Sequence, residues 1–132
     1  MVEIEFISIN IAVVTISDSR ELKNDKSGET LVNRITKFGH KVTVREIVKD
    51  DFNTISDLFK KLLKNEDIDV IISTGGTGLT GRDITPEVME TLFDKTIDGF
   101  GEMFRWLSYK KISTSALQSR ALAGVACGKY IF

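Results

Sequence analysis

The stretch IDVIISTGGTGLTGRDITPE, from Ile68 to Glu87, constrains the fold more than any other part of the chain. A short apolar run passes directly into a glycine-rich loop. The loop passes into Thr85-Pro86-Glu87, a helix start with a hydroxyl for the N-cap, proline at the first helical position and an acid in the first turn. The other segments continue this alternation. Residues 9–16, INIAVVTI, form a near-continuous apolar run that fits a strand buried on both faces. Residues 17–29 are polar and read as a long loop entering a helix, on which Leu31, Val32, Ile35 and Phe38 recur with helical spacing, and Gly39 follows at the C′ position.

Val42, Val44, Ile47 and Val48 predict a second strand ending at Asp50-Asp51, and Phe52, Ile55, Leu58, Phe59, Leu62 and Leu63 an amphipathic helix. Residues 68–72 make the third strand, and Val88, Met89, Leu92 and Phe93 the buried face of the helix after the loop. A further helix is expected over 100–109 around Phe104 and Leu107, and a strand starts at Lys129. Residues 114–126 are rich in Ala, Ser and Gly, which permits close approach of neighbouring backbone. This order predicts a single domain over residues 1–132 with an α/β fold, a three-layer sandwich around a mostly parallel central sheet. The apolar ending Tyr130-Ile131-Phe132 carries no polar tail, so a truncated chain, or part of a longer one, is expected.

Composition narrows the chemistry. With 18 Lys and Arg against 19 Asp and Glu and no basic block, nucleic acid is not the expected partner. One Cys and one His rule out most metal and nucleophile designs, since a structural zinc site needs four N or S ligands. Glu3 and Glu5 stand where a signal peptide would carry cations, and no apolar run is long enough to span a membrane, so the expected setting is the cytoplasm. His40 reads as a polar residue at a strand start, Cys127 as a small core residue, Trp106 as packing or interface, and the charged run Lys60 to Asp67 as a solvated helix end.

Ligands of open α/β sheets bind beyond the carboxyl ends of the strands. Three such ends are visible: Ser17, Asp18 and Ser19; Asp50 and Asp51; and Thr74-Gly75-Gly76-Thr77-Gly78 with Arg82 and Asp83 just behind. Glycines permit positive φ and close approach, and successive N–H groups can form an anion-binding nest. Thr74 and Thr77 add hydroxyls, and the helix start near Thr85 adds its partial positive charge. A phosphate is the natural guest, and a tight turn with no ligand is the bland alternative. Asp83 and Asp50 would repel an anion unless a cation lies between them, and hard oxygen ligands select Mg²⁺. Plainer roles exist for the same residues, Asp83 as a turn carboxylate and Asp50 or Asp51 as a helix N-cap, and Asp18 shares that ambiguity. Gly76 to Gly81 fits G-x-G-x-x-G, but it follows the third strand and precedes the helix entirely, so it is a weak dinucleotide signal. No Walker A lysine follows it.

The segments VVTISDSR, DKSGETL, STGGTGLTGRDITPE, GFGEMFR and SRALAGV, in this order, resemble the MoaB/MogA-type domain of molybdenum cofactor biosynthesis. The resemblance runs from about Ile9 to Phe132. It implies a molybdopterin-binding α/β fold assembling as a homo-trimer or hexamer, in contact with other proteins of cofactor biosynthesis. It also implies adenylyl transfer from ATP to molybdopterin with Mg²⁺ and release of pyrophosphate. A non-catalytic pterin-binding or assembly module of the same fold is the alternative. Carried over by position, Asp83 and Asp50 are the catalytic, metal-associated carboxylates, and Gly75, Gly76, Thr77 and Gly78 hold phosphate. Ser17 and Asp18 lie on the adjacent loop, and Glu102, Ser119 and Arg120 line the pterin side. Members of the family continue beyond the position of Phe132 with an LPG-x-P loop and a helix, so the domain is expected to lack both.

Overall fold

Apolar residues at alternate positions sort the chain onto two faces of one sheet. In the computed structural model, which describes residues 3–132, the strands are β1 (Asn10–Ile16), β2 (Lys41–Val48), β3 (Val70–Thr74), β4 (Lys95–Thr96), β5 (Gly124–Ala126) and β6 (Lys129–Ile131). The helices are α1 (Lys26–Lys37), α2 (Phe52–Lys64), α3 (Thr85–Leu92) and α4 (Asp98–Ile112), with 3-10 turns over Leu22–Asn24 and Ser113–Gln118. The sheet order is β2-β1-β3-β6-β5-β4. The first three pairings are parallel, and β6-β5 and β5-β4 are antiparallel.

Because successive side chains of a strand point to opposite faces, β1 feeds two cores. Ala12, Val14 and Ile16 pack with Ile71, Ile131 and the apolar faces of α2 and α3, where Phe59 and Ile55 are fully buried. Ile11, Val13 and Val70 pack with Ile35, Leu31 and Val32 of α1 and with Phe132. Helices therefore cover both faces of a mostly parallel sheet, and the chain is a three-layer α/β sandwich.

Local chemistry sets the boundaries. Gly39 has φ 90°, its N–H donates to Thr36 O and that of His40 to Ile35 O, the Schellman arrangement expected at the end of α1. At the other end α1 begins at Lys26, inside the expected loop, because Asp25 caps it by accepting from Gly28 N at 3.1 Å. β3 starts at Val70 rather than Ile68, since Ile68 N closes the turn after α2 onto Asn65 O. Thr85 is not the N-cap of α3; Ile84 is, and the Thr85 hydroxyl is used elsewhere.

The β4-β5 pairing was not expected from the sequence. Its strands are too short to show alternation, and Gly124 allows the Phe93 ring to lie directly against it. Cys127 is not a core residue. It is exposed with φ 51° beside Gly128 at φ 74°, forming a two-residue turn between β5 and β6 of the kind that needs positive φ twice. Trp106 is largely exposed on α4, with Lys110 Nζ 3.9 Å from its ring centroid.

Candidate functional site

The chain leaves β1 toward β2 on one side and returns from α2 to β3 on the other. This reversal opens a crevice at the carboxyl ends of β1 and β3, where ligands of such sheets bind. All three predicted strand ends meet there. Ser17 N donates to Val48 O at 2.8 Å, Asp50 N to Asp18 Oδ1 at 3.1 Å, and Arg82 grips the Asp18 carboxylate through Nε and Nη2 at 3.1 and 2.7 Å.

The glycine loop has the shape the residues imply. Gly75 and Gly76 have φ 104° and 70°. A side chain on Gly75 would strike the Ile16 carbonyl, and one on Gly76 the Thr85 hydroxyl, with Asp50 Oδ1 3.2 Å from the added carbon. Thr85, almost fully buried, donates its hydroxyl to Gly75 O at 2.8 Å and its N–H to Gly76 O at 3.1 Å. Among the described residues, the successive amides of Gly76, Thr77 and Gly78 donate to no protein acceptor. Unpaired consecutive N–H groups in a left-handed turn make an anion nest.

Carboxylates surround this nest. Asp51 is the N-cap of α2, accepting from Thr54 N at 2.9 Å and from the Thr54 hydroxyl at 2.7 Å, and these bonds hold its carboxyl below the usual range. Asp50 is thereby left to the crevice. Burial, and then the charges of Asp18 and Asp83, push its carboxyl up, against the smaller opposing pull of Arg82 and the Asp18 amide. Asp18 titrates below its usual value, chiefly through its bonds from Arg82, which also raise the guanidinium. Asp83 Oδ2 closes a turn on Thr80 N at 3.0 Å and Thr80 Oγ1 at 2.7 Å, so the plainer turn role is real. Gly78 makes room for it, because an added carbon would lie 2.6 Å from Asp83 Oδ2.

Asp50 and Asp83 are the residues that could hold a divalent cation. Among the described residues no three acidic, His or Cys side chains converge into a closed metal cage. Two carboxylates beside an anion nest instead fit Mg²⁺, which keeps waters and shares substrate phosphates.

The remaining sequence candidates are distributed unevenly. Thr74, Gly75 and Thr77 line a groove of about 620 Å³ that runs from the loop between α1 and α4. Its walls are Ser27, Leu31, Phe100, Phe104 and Phe132. Sequence reasoning read Leu31 and Phe104 as helix positions and gave none of these wall residues a place in the site, although Ser27 sits in the DKSGETL segment that carried part of the resemblance. Glu102 is exposed on α4 and lies outside the groove lining. Ser119 lies on the strap entering β5, where its carbonyl accepts from Arg105 Nη1 at 3.2 Å. The Arg120 guanidinium, expected to face substrate, is engaged by the loop itself: it donates to Gly78 O, Asp83 O and both Glu87 oxygens at 2.7–2.8 Å.

Known proteins share this architecture and sequence. The family profile described as "Probable molybdopterin binding domain" matches residues 12–132. Molybdenum cofactor biosynthesis protein B of Bacillus cereus is 46% identical, over 94% of this chain and 74% of that protein. Its counterpart in Escherichia coli K12 is 44% identical, over 99% of this chain and 77% of that protein. A crystal structure of molybdenum cofactor biosynthesis protein B superposes with a TM-score of 0.92 at 45% identity, covering 96% of this chain and 79% of that one.

Proposed function

Because the chain belongs to the probable molybdopterin binding domain family, we propose that it acts in molybdenum cofactor biosynthesis by transferring an adenylyl group from ATP to molybdopterin. The observation that carries this reading is the run of three unpaired amides, Gly76 to Gly78, set beside Asp50 and Asp83. A bare anion nest needs no acids, and an acidic rim alone would repel a phosphate. The two together suit a polyphosphate that arrives with Mg²⁺. The names of the relatives, all molybdenum cofactor biosynthesis protein B, support the choice of acceptor.

In the proposed reaction an oxygen of the terminal phosphate of molybdopterin attacks the α-phosphorus of ATP. A new P–O bond forms, the bond from the α-phosphorus to the bridging oxygen of the β-phosphate breaks, and pyrophosphate leaves. The Mg²⁺, when bound, offsets charge on the phosphates. The residues of the chain position and screen. The nest amides and the Thr77 hydroxyl bind phosphate oxygens, Asp50 and Asp83 hold the cation, and Ser17 and Asp18 form the near wall. The pterin occupies the groove, where Phe100, Phe104 and Phe132 offer aromatic faces.

The chain is proposed to do this in the cytoplasm as a homo-trimer or hexamer. Met103, Trp106, Leu107, Tyr109 and Ile112 leave an exposed apolar surface on α4 that supports self-association. No helix among the described residues is long and apolar enough to cross a membrane.

The test is a coupled pyrophosphate assay with molybdopterin, ATP and Mg²⁺, together with Asp83→Ala. Release that requires all three reactants and disappears in Asp83→Ala, with molybdopterin binding retained, is expected. Molybdopterin binding without any consumption of ATP would replace the enzyme by a pterin-binding module.

A further inference from the structure

Every donor of the Arg120 fork that the structure pairs goes to the protein. Nε donates to Gly78 O at 2.8 Å, Nη2 to Asp83 O at 2.7 Å, and Nη1 to both oxygens of Glu87 at 2.8 and 2.7 Å. Its backbone N–H adds a bond to Thr77 O at 3.0 Å. The strap carrying Arg120 is itself fixed from α4, where Arg105 Nη1 donates to Ser119 O and Ala121 O, both at 3.2 Å. One side chain thus gathers carbonyls from both ends of the loop segment 77–83. In a planar trans peptide each held carbonyl turns the next amide to the opposite side. Thr85, on the carbonyls of Gly75 and Gly76, does this for the amides of Gly76 and Thr77, and the Arg120 N–H, on Thr77 O, does it for Gly78. The Arg120 fork fixes the continuation of the same loop through Gly78 O and Asp83 O.

We propose that Arg120, oriented by Glu87, is a positioning residue that presets the anion-binding shape of the glycine loop and does not itself bind substrate. A planar fork suits this task, because its donors are fixed relative to one another and can serve two carbonyls and a carboxylate at once. A lysine ammonium is a point charge and cannot hold that geometry. The proposal rests on the reading that the loop takes a phosphate.

Electrostatics and positioning predict opposite signs for one substitution. Glu87→Gln removes a negative charge near the loop. If Arg120 bound the anion directly, that change would free its guanidinium and tighten binding. If Glu87 orients a clamp, the change loosens the loop and weakens binding.

Inorganic pyrophosphate with Mg²⁺ is the probe, titrated by calorimetry into the full chain and into the Glu87→Gln and Arg120→Lys variants. Amide hydrogen exchange is read at Thr80 and Asp83, whose N–H groups close the loop turn. The expected result is about three- to fivefold weaker pyrophosphate binding in Glu87→Gln, the effect an ion pair of this partial exposure supports. A loss at least as large is expected in Arg120→Lys, with faster exchange at both amides in both variants. Binding by Glu87→Gln that is unchanged or tighter overturns the proposal, and so does a Lys variant that binds like the native chain. If the native chain binds no pyrophosphate, the phosphate reading of the loop fails. The clamp is then judged by exchange alone: faster exchange in both variants upholds it as a loop-shaping device, and unchanged exchange overturns it.

Discussion

Replacing Asp25 by alanine should cost about 3 kcal/mol of stability, and each part of that loss can be traced to a neighbour. The carboxylate is fully buried, and it accepts from Thr15 Oγ1 at 2.7 Å, from Gly28 N at 3.1 Å and from Arg45 Nη2 at 3.4 Å. Losing an N-cap costs about 1 kcal/mol. Leaving the buried Thr15 hydroxyl without its acceptor costs about 1 kcal/mol more. The abandoned Arg45 charge adds about 1 kcal/mol, less than a fully buried pair would, because its side chain is 26% exposed. For a chain of this size that loss lowers Tm by about 10 °C.

The pH dependence carries a sign of its own. Burial pushes the Asp25 carboxyl up, but the bonds from Thr15, Gly28 and Arg45 outweigh it, so the group titrates below its usual value. Its stabilisation is complete above about pH 5 and is lost as pH falls through the folded value. Thermal unfolding by circular dichroism at pH 7 and near pH 3 tests both statements. A Tm loss under about 3 °C at pH 7, or a gap between the two chains that is just as large near pH 3, would refute the reasoning. The result also bears on the groove, since Asp25 sets where α1 begins and therefore where Ser27 and Thr30 face the cavity.

Asp50→Asn should raise Tm at pH 7. The carboxyl is pushed up in the folded chain, so ionising it at neutral pH works against folding; the gain should fade as pH falls toward about 4 and the native group protonates. A scan at both pH values that shows destabilisation at pH 7 would mean Asp50 is a structural ligand of the loop. Thr85→Val removes the donor that holds Gly75 O, leaving a carbonyl unpaired at a buried contact, and should cost about 1–2 kcal/mol in urea unfolding. No measurable change would show that water replaces the hydroxyl.

The crevice was legible because its parts announce themselves locally. Gly75 and Gly76 stand at positive φ where any side chain would collide, and only a sequence with glycine there can make the turn. The near-continuous apolar run of β1 likewise points to a strand buried on both faces, and two cores do lie against it. Other features depended on distance in space. Asp50 and Asp51 are adjacent carboxylates, and only the direction of α2 decides that Asp51 caps it while Asp50 faces the nest. Arg120 has a fork that suits phosphate, and nothing in its neighbours along the chain reveals that Gly78 and Asp83 carbonyls lie within its reach. Cys127 follows Val125 and Ala126 and so reads as core. The two-residue turn that exposes it is unusual in placing a cysteine, where asparagine or glycine is favoured, at positive φ.

These features place the strain and the satisfaction of the site on opposite sides of one loop. Its outer side is engaged by Thr85 beneath, by Arg120 from the strap with Glu87 of α3 behind it, and by the close approach of Ile16. The cost of ordering it is therefore met when the chain folds rather than when a ligand arrives. Its inner side is left in conflict, with three amides lacking acceptors and the Asp50 carboxyl pushed up first by burial and then by the charges of Asp18 and Asp83. A site that was only structural would have no reason to keep both defects together, since one lysine or one more side-chain acceptor would relieve either. An anion alone would relieve the amides and worsen the carboxylates; a cation alone would do the reverse. Only a ligand that brings both charges removes both defects, and this is the physical ground on which we propose a phosphate with its metal as the guest of the loop.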